Sequence, residues 1–332
     1  MQLDKSKRVL VTGGAGFIGS ALVHALNERG VDRIVLTDVL GEDAKWRNLA
    51  PLQFEEYLDA DQLLAAIHET PASLGHFDCV FHLGACSATT ETDAGYLMEN
   101  NYRYTRSLAE WAMETGARFV YASSAATYGD GSRGMEDTAD IRQLRPLNAY
   151  GYSKQLFDLM ALRNGWFDQI VGLKYFNVYG PNEYHKGEMR SLVCKAYEQV
   201  QATGKIKLFK SHRPEYRDGE QMRDFVYVRD AVGVTLHLAE NEQAAGLYNV
   251  GTGVARTWLD LAHALFHALD RTPDIEFIDM PESIRDHYQY YTCAQIDRLR
   301  ATGYDRSNYT LEAAIREYVQ DFLRSGSHLG DA

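Results

Sequence analysis

Tyr150 and Lys154 stand four residues apart in the stretch Tyr150-Gly151-Tyr152-Ser153-Lys154. On a helix, that spacing puts both side chains on one face. A lysine ammonium there stabilises phenolate and so lowers the tyrosine pKa, and it can also hold a cofactor ribose. The pair suits proton exchange with a substrate hydroxyl. Tyr-x-x-x-Lys is common by chance, so its setting matters. Upstream, the apolar run Phe119 to Ser123 ends in a second serine, Ser124. Ser124 would hydrogen-bond the substrate hydroxyl or the Tyr150 oxygen; the plainer reading is a capping serine. Tyr152 competes with Tyr150, but it sits two residues from Lys154 and faces elsewhere.

A second constellation lies near the N-terminus, in Gly13-Gly14-Ala15-Gly16-Phe17-Ile18-Gly19. Gly13, Gly16 and Gly19 give the spacing G-x-x-G-x-x-G. Glycines there permit a tight turn and close approach of backbone to a pyrophosphate, which the following helix N-terminus attracts. The motif alone is weak evidence. Here a strand precedes it, a helix follows it, and Asp38 ends the next strand. A carboxylate at that position accepts hydrogen bonds from ribose hydroxyls and repels a 2′-phosphate, which suggests NAD. Lys45 and Arg47 could instead hold that phosphate, or be solvated helix charges, and spacing leaves both cofactors open.

The elements that must position these groups alternate. Arg8 to Thr12, Ile34 to Asp38, Cys79 to Leu83, Phe119 to Ser123 and Val171 to Phe176 read as strands. Phe17 to Arg29 (stopped by Gly30), Ala94 to Thr115 and Tyr150 to Arg163 read as helices. Such alternation implies an α/β fold with a doubly wound parallel sheet and ligands beyond the strands' C-terminal ends. After Tyr179 the texture changes. Gly180 to Gly187 and the charged segment Lys210 to Gln221 read as loops. Asp230 to Glu240 reads as a helix and Leu247 to Val250 as a strand, so the chain is expected to cross back to the first domain.

The bulk properties are those of a globular protein. The chain has 332 residues, 45% hydrophobic and 24% charged, with a formal net charge of -12. That charge repels a phosphate backbone and argues against nucleic acid as a partner. Cys79, Cys86, Cys194 and Cys293 form no Cys-x-x-Cys pair, so no metal site is expected. Cys86 could be a reactive thiol, but no basic neighbour adjoins it in sequence, and a packing role is preferred. No run of about 18 apolar residues appears, so no membrane span is expected. The polar start, Met1 to Arg8, has no signal-peptide pattern, and a cytoplasmic location is expected.

Together these residues resemble the extended short-chain dehydrogenase/reductase superfamily and, within it, the ADP-L-glycero-D-manno-heptose 6-epimerase family. The resembling stretches span nearly the whole chain: TGGAGFIGS, FHLGACSATTETD, ENNYRYT, YASSAATYG, LNAYGYSK, KYFNVYGPNEYHKG, RDFVYVRD, YNVGTG and YTCAQIDRLRATGYD. GACS followed by paired threonines, and HKG after NVYGP, point to the family rather than the superfamily. The resemblance implies a Rossmann sheet with a smaller C-terminal α/β substrate lobe. Residues 1–178 would be the NADP-binding domain, with the chain returning at about 224–252; 179–223 and 253–332 would form the lobe.

The resemblance also implies an isomerase that inverts carbon 6 of an ADP-heptose, a lipopolysaccharide inner-core precursor, with tightly bound, recycled NADP. Tyr150 would be one acid/base and Lys186 the other, with Lys154 and Ser124 assisting. Implied cofactor contacts are Gly13, Gly16, Phe17, Ile18, Gly19, Asp38, Val39, Lys45, Leu83, Gly84, Ala85, Cys86, Ser87, Asn100, Lys154, Val178 and Lys186. Implied substrate contacts are Asn177, Glu188, Lys195, Phe209, Arg223 and Tyr288. Arg223 suits a diphosphate clamp, since guanidinium binds phosphate through paired hydrogen bonds; its plainer reading is an ion pair with Asp224. A homo-oligomer, a pentamer by resemblance, is expected. The sequence departs from some relatives at Ala60, Leu83 and Lys195, and its Phe209 to Arg223 segment is longer.

Two other functions fit parts of the pattern. A UDP- or dTDP-hexose 4-epimerase would share the glycine loop, Ser124, Tyr150 and Lys154, but would not need Lys186. A non-catalytic cofactor-binding regulator would be expected to lose the tyrosine or the lysine. A 4,6-dehydratase would carry an Asp-Glu pair where Ala125-Ala126 follow Ser124.

Overall fold

The computed structural model describes residues 1–285, 288–306 and 309–331. Four short runs, Val9–Thr12 (β1), Ile34–Asp38 (β2), Glu56–Asp59 (β3) and Cys79–His82 (β4), pair in parallel with Arg118–Ser124 (β5) and Val171–Tyr175 (β6). A seventh strand, Gly246–Val250 (β10), completes the sheet. β1 and β4 are buried at every position. That is why they read as unbroken apolar runs: helices cover both faces of a parallel sheet. The edge strand β3 and the helix after it, Ala60–Glu69, were not legible as elements. β3 is half-exposed and carries charge at both ends, so no apolar run announces it.

The sheet order is β10-β6-β5-β4-β1-β2-β3. The order reverses beside β1, whose neighbours are β2 and β4. Register aligns Thr12 with Thr37 on one side and with His82 on the other. The loops leaving β1, β2 and β4 therefore emerge level with one another, into the crevice that a reversal of strand order opens.

Phe17–Glu28 (α1) follows the glycine loop, and Gly30, at φ 78°, ends that turn as expected. The single helix expected over Ala94 to Thr115 is three pieces. A π turn at Met98–Arg103 separates Ala94–Leu97 from Tyr104–Glu114. The turn's wider winding is local and leaves no mark in apolar periodicity. Ala149–Arg163 carries Tyr150 and Lys154, capped by the Asn148 side chain on Gly151 N–H.

Beyond β6 the chain leaves the main sheet. Asn177–Tyr179 (β7) enters a small sheet with Met222–Tyr227 (β9) and Ala255–Thr257 (β11). Ile206–Phe209 (β8) pairs with Ile275–Ile278 (β12). Between these excursions, the helix Val228–Glu240 and the strand Gly246–Val250 (β10) return to the main sheet beside β6. The segment Gly180 to Gly187, read as loop, holds part of a 3-10 turn, Tyr184–Met189, broken at Gly187. Among the described residues no helix is long and apolar enough to cross a membrane, and no cluster of metal-ligating side chains occurs.

Candidate active site

The glycine loop is folded against β4's exit. Gly13 sits at φ 67°, and a Cβ there would lie 2.6 Å from Gly84 N. A Cβ on Gly19 would overlap the Gly13 carbonyl. Only glycine fits at either position. The result is a cavity of about 640 Å³ lined by Gly13, Asp38, Val39, Lys45, Gly84 to Cys86 and Asn100. Bare loop backbone at a helix N-terminus, with this volume beside it, fits a dinucleotide. Phe17, Ile18, Gly19, Leu83 and Ser87 flank the cavity in sequence without lining it. Ala60 and His68, which sequence reading did not select, do line it.

Asp38 lines this cavity, yet its carboxylate oxygens are turned to the protein. Its Oδ2 accepts hydrogen bonds from Ala15 N (2.9 Å) and Gly16 N (3.1 Å), and its Oδ1 from Val39 N (2.7 Å) and Lys45 Nζ (3.1 Å). Both oxygens are thus committed to the protein.

Tyr150 is half-buried. Burial pushes its phenol up, and the neighbouring Ser124 hydroxyl pulls it back. Ser124 also accepts a hydrogen bond from Ala126 N (3.1 Å), so it is a cap as well. Lys154 is buried and donates to Ala122 O at 3.0 Å. Burial brings its ammonium down to about 8, against the pull of Asp158 one turn along the helix. Tyr152 is half-exposed.

Lys186 comes from the turn Tyr184–Met189. Its Nζ lies 5.5 Å from the centroid of the Phe17 ring, at the start of α1. Burial lowers its pKa and Glu183 partly restores it. Two residues that sequence reading missed hold it there. Buried Glu183 accepts from Gly180 N, Ser191 Oγ and Tyr318 OH, and its carbonyl accepts from Lys186 N. Asn48 donates to Ala15 O (2.9 Å) and Asn182 O (3.1 Å), tying the glycine loop to the turn before Lys186. An asparagine in a polar turn gives no sequence signal for such a clamp.

A second cavity, of about 520 Å³, is lined by Asn177, Val178, Glu188, Lys195, Phe209 and Tyr288, with Trp258. Val178, expected at the cofactor, lies in this wall. Lys195 Nζ donates to Glu188 O at 3.0 Å. Arg223 is buried and makes no ion pair with Asp224 or any other described carboxylate. It donates to Met222 O (2.8 Å) and to Gln289 O. Its guanidinium lies 5.1 Å from the Tyr288 ring and 5.7 Å from the Trp258 ring. Trp258 Nε1 donates to Tyr288 OH at 2.9 Å, so the two rings form one platform. Asp224 is held by Thr252, Gly253 and Ala294 instead.

The chain therefore holds a cavity beside the glycine loop, a Ser-Tyr-Lys group, an arginine against two aromatic rings with no ion pair among the described residues, and a lysine brought to Phe17 from a distant turn. The model of the NAD dependent epimerase/dehydratase family matches residues 9–251. An ADP-L-glycero-D-manno-heptose-6-epimerase of Nitratidesulfovibrio vulgaris strain DP4 is 55% identical over 95% of this chain and 97% of its own. The enzyme of that name from Fusobacterium nucleatum is 44% identical over 95% of this chain and 98% of its own. A crystal structure of the Helicobacter pylori ADP-L-glycero-D-manno-heptose-6-epimerase superposes with a TM-score of 0.81, at 29% identity, covering 96% of each chain. This chain belongs to the NAD dependent epimerase/dehydratase family and, within it, to the ADP-L-glycero-D-manno-heptose-6-epimerases.

Proposed function

We infer that the protein interconverts ADP-D-glycero- and ADP-L-glycero-D-manno-heptose, a step toward lipopolysaccharide inner-core precursors in the cytoplasm. The observation that carries this reading is the approach of Lys186 to Phe17 beside the glycine loop. A 4-epimerase has no need of that lysine. A bound nicotinamide cofactor would supply the redox chemistry, accepting a hydride from carbon 6 and returning it to the opposite face.

The protein's own groups move the protons. Oxidising an alcohol releases one proton from its hydroxyl, and reducing the ketone takes one back. Inversion presents that oxygen to opposite sides of the site, so an acid/base is needed on each. Tyr150, beside Ser124 and one helical turn from the buried Lys154, serves one side. Lys186, with its pKa lowered by burial, serves the other. Lys154 also suits the cofactor ribose. Asn177, Glu188, Lys195, Phe209 and Tyr288 would hold the heptose and adenosine ends, and Arg223 the diphosphate. In the proposed division Tyr150 belongs to the domain of residues 1–178 and Lys186 to the lobe that begins at residue 179.

The cofactor is proposed to be NADP rather than NAD. The carboxylate that would bind ribose hydroxyls of NAD is occupied at both oxygens, and Lys45 stands beside it. A homo-oligomer, a pentamer by resemblance, is proposed with it; light scattering on the purified protein tests that.

The direct test incubates the protein with ADP-D-glycero-D-manno-heptose, adding no cofactor, and separates the epimers by chromatography. Interconversion lost in Tyr150→Phe and sharply reduced in Lys186→Met supports the reaction and both assignments. No conversion, despite NADP or NAD released on denaturation, sinks the heptose reading in favour of UDP- and dTDP-hexoses.

A further inference from the structure

His82 ends β4 and is buried completely, yet both ring nitrogens are engaged. Nδ1 lies 2.7 Å from Thr12 Oγ1 and Nε2 lies 2.8 Å from Thr105 Oγ1. The partners fix the proton. Gly84 N–H donates to Thr12 Oγ1 at 3.0 Å, and the Thr105 hydroxyl donates to Asn101 O at 2.7 Å. With its one proton spent on Asn101, Thr105 can only accept from the imidazole. Nε2 therefore carries the hydrogen, and Nδ1 accepts from Thr12. Every donor then has an acceptor, and the bonds run one way: Gly84 to Thr12 to His82 to Thr105 to Asn101.

Asn101 extends the connection in both directions. Its Oδ1 accepts from Cys86 N (2.8 Å), while its Nδ2 donates to Cys86 O (3.0 Å) and Ser153 Oγ (2.9 Å). The Ser153 hydroxyl donates to Tyr150 O at 2.7 Å. Gly84 and Cys86 are walls of the larger cavity, and Tyr150 lies in the first turn of the helix Ala149–Arg163. Within the π turn Asn101 is buried while Asn100 lines the cavity.

We propose that His82 is a positioning residue: a neutral, Nε2-protonated relay that fixes the cavity loop Leu83 to Ser87 relative to the catalytic helix. Resting on the epimerase reading, this deepens it, since hydride transfer depends on where that loop holds the cofactor against Tyr150. Burial, and next the charge of Lys154, push the imidazole pKa far down, in keeping with a ring that never charges. Its faces are packed as well, with Tyr104 edge-on at 5.1 Å and Phe119 stacked at 6.1 Å.

Two measurements test the relay. In protein labelled with 15N-histidine, the His82 signals are assigned by their absence from His82→Gln. The expected spectrum has a protonated Nε2 and a bare Nδ1; a protonated Nδ1 overturns the proposal. The second compares Thr12→Val and Thr105→Val, which keep shape but remove the hydroxyl, with Thr12→Ser and Thr105→Ser, which keep it. Each valine variant should lower kcat roughly tenfold with little change in KM, and the double valine variant should be no worse than either single. The serine variants should recover most of the rate. Multiplying effects, or valine variants as fast as the unsubstituted enzyme, overturn it. Failure of the unsubstituted protein to turn over ADP-heptose would count against the epimerase reading alone, because the histidine spectrum still decides the relay.

Discussion

The Lys45 ammonium rests 3.1 Å from Asp38 Oδ1, on a carboxylate whose other oxygen is held by the amides of Ala15 and Gly16. The pair is largely shielded, with 18% and 10% of the two side chains exposed. On the proposed NADP reading Lys45 would bind the 2′-phosphate, and its pairing with Asp38 would offset the acid's repulsion. Lys45→Met should weaken binding of NADP by about tenfold to a hundredfold, the cost of one charged hydrogen bond, and leave NAD nearly unchanged. Titration of cofactor-stripped protein with each dinucleotide measures this. Equal losses for both would count against NADP.

In the proposed mechanism Lys154 supports Tyr150 only while charged. Burial brings its ammonium down to about 8, so the charge is present below that pH and lost above it. Turnover should therefore fall as pH rises through about 8. Asp158 opposes the shift, so Asp158→Asn should move this alkaline limb to lower pH. Lys154→Arg keeps its charge and should remove the limb, at a lower plateau rate. A pH–rate profile for the three proteins decides, and an unmoved limb in Lys154→Arg would assign it to another group.

Asp158 is also paired with Lys174 at 2.9 Å, with 0% and 1% of the side chains exposed. The carboxylate accepts from Tyr121 OH and Ser123 Oγ as well, and Lys174 donates to Thr127 Oγ1. Removing one member of a buried pair leaves the other charge uncompensated. Lys174→Met should cost about 3–5 kcal/mol of stability, and adding Asp158→Asn should recover part of it. Urea unfolding of both variants measures the difference. A Lys174→Met protein as stable as its parent would show that water reaches the pair.

Arg223 is buried over Tyr288 and Trp258 with no described carboxylate to balance it. In the proposed function it binds the substrate's diphosphate, with Tyr288 and Trp258 in the wall of the smaller cavity. Arg223→Lys retains the charge but neither the fork nor the stacking, and should lower kcat/KM for the ADP-sugar by about tenfold or more. Trp258→Phe, which frees the Tyr288 hydroxyl, should give a smaller loss of the same kind. Steady-state kinetics separate these outcomes; an unaffected Arg223→Lys enzyme would remove Arg223 from the diphosphate site.

Much of this protein could be read from its residues in order. Buried strands such as Val9–Thr12 and Cys79–His82 announce themselves because a sheet covered on both faces needs unbroken apolar runs. Gly13 and Gly19 announce the loop because backbone approaches where a Cβ would collide. Tyr150 and Lys154 are one turn apart, so their relation is local and sequence spacing carries it. Resemblance supplied Lys186 as a candidate, since a lysine in a glycine-flanked turn looks like surface charge.

Tertiary structure decided what depends on distant partners. Asp38 turns toward the glycine loop rather than outward because two amides and Lys45 claim its oxygens. Lys186 reaches Phe17 because Asn48 and Glu183 clamp segments far apart in the chain. Arg223, adjacent to an acid in sequence, ignores it because successive residues on a strand face opposite sides. His82 looks like any strand residue until Thr12 and Thr105 are placed on its two nitrogens. Apolar periodicity records which face of an element is buried. It does not record which polar groups meet inside, because a hydrogen bond is satisfied by one partner at one distance, and only the assembled fold supplies both.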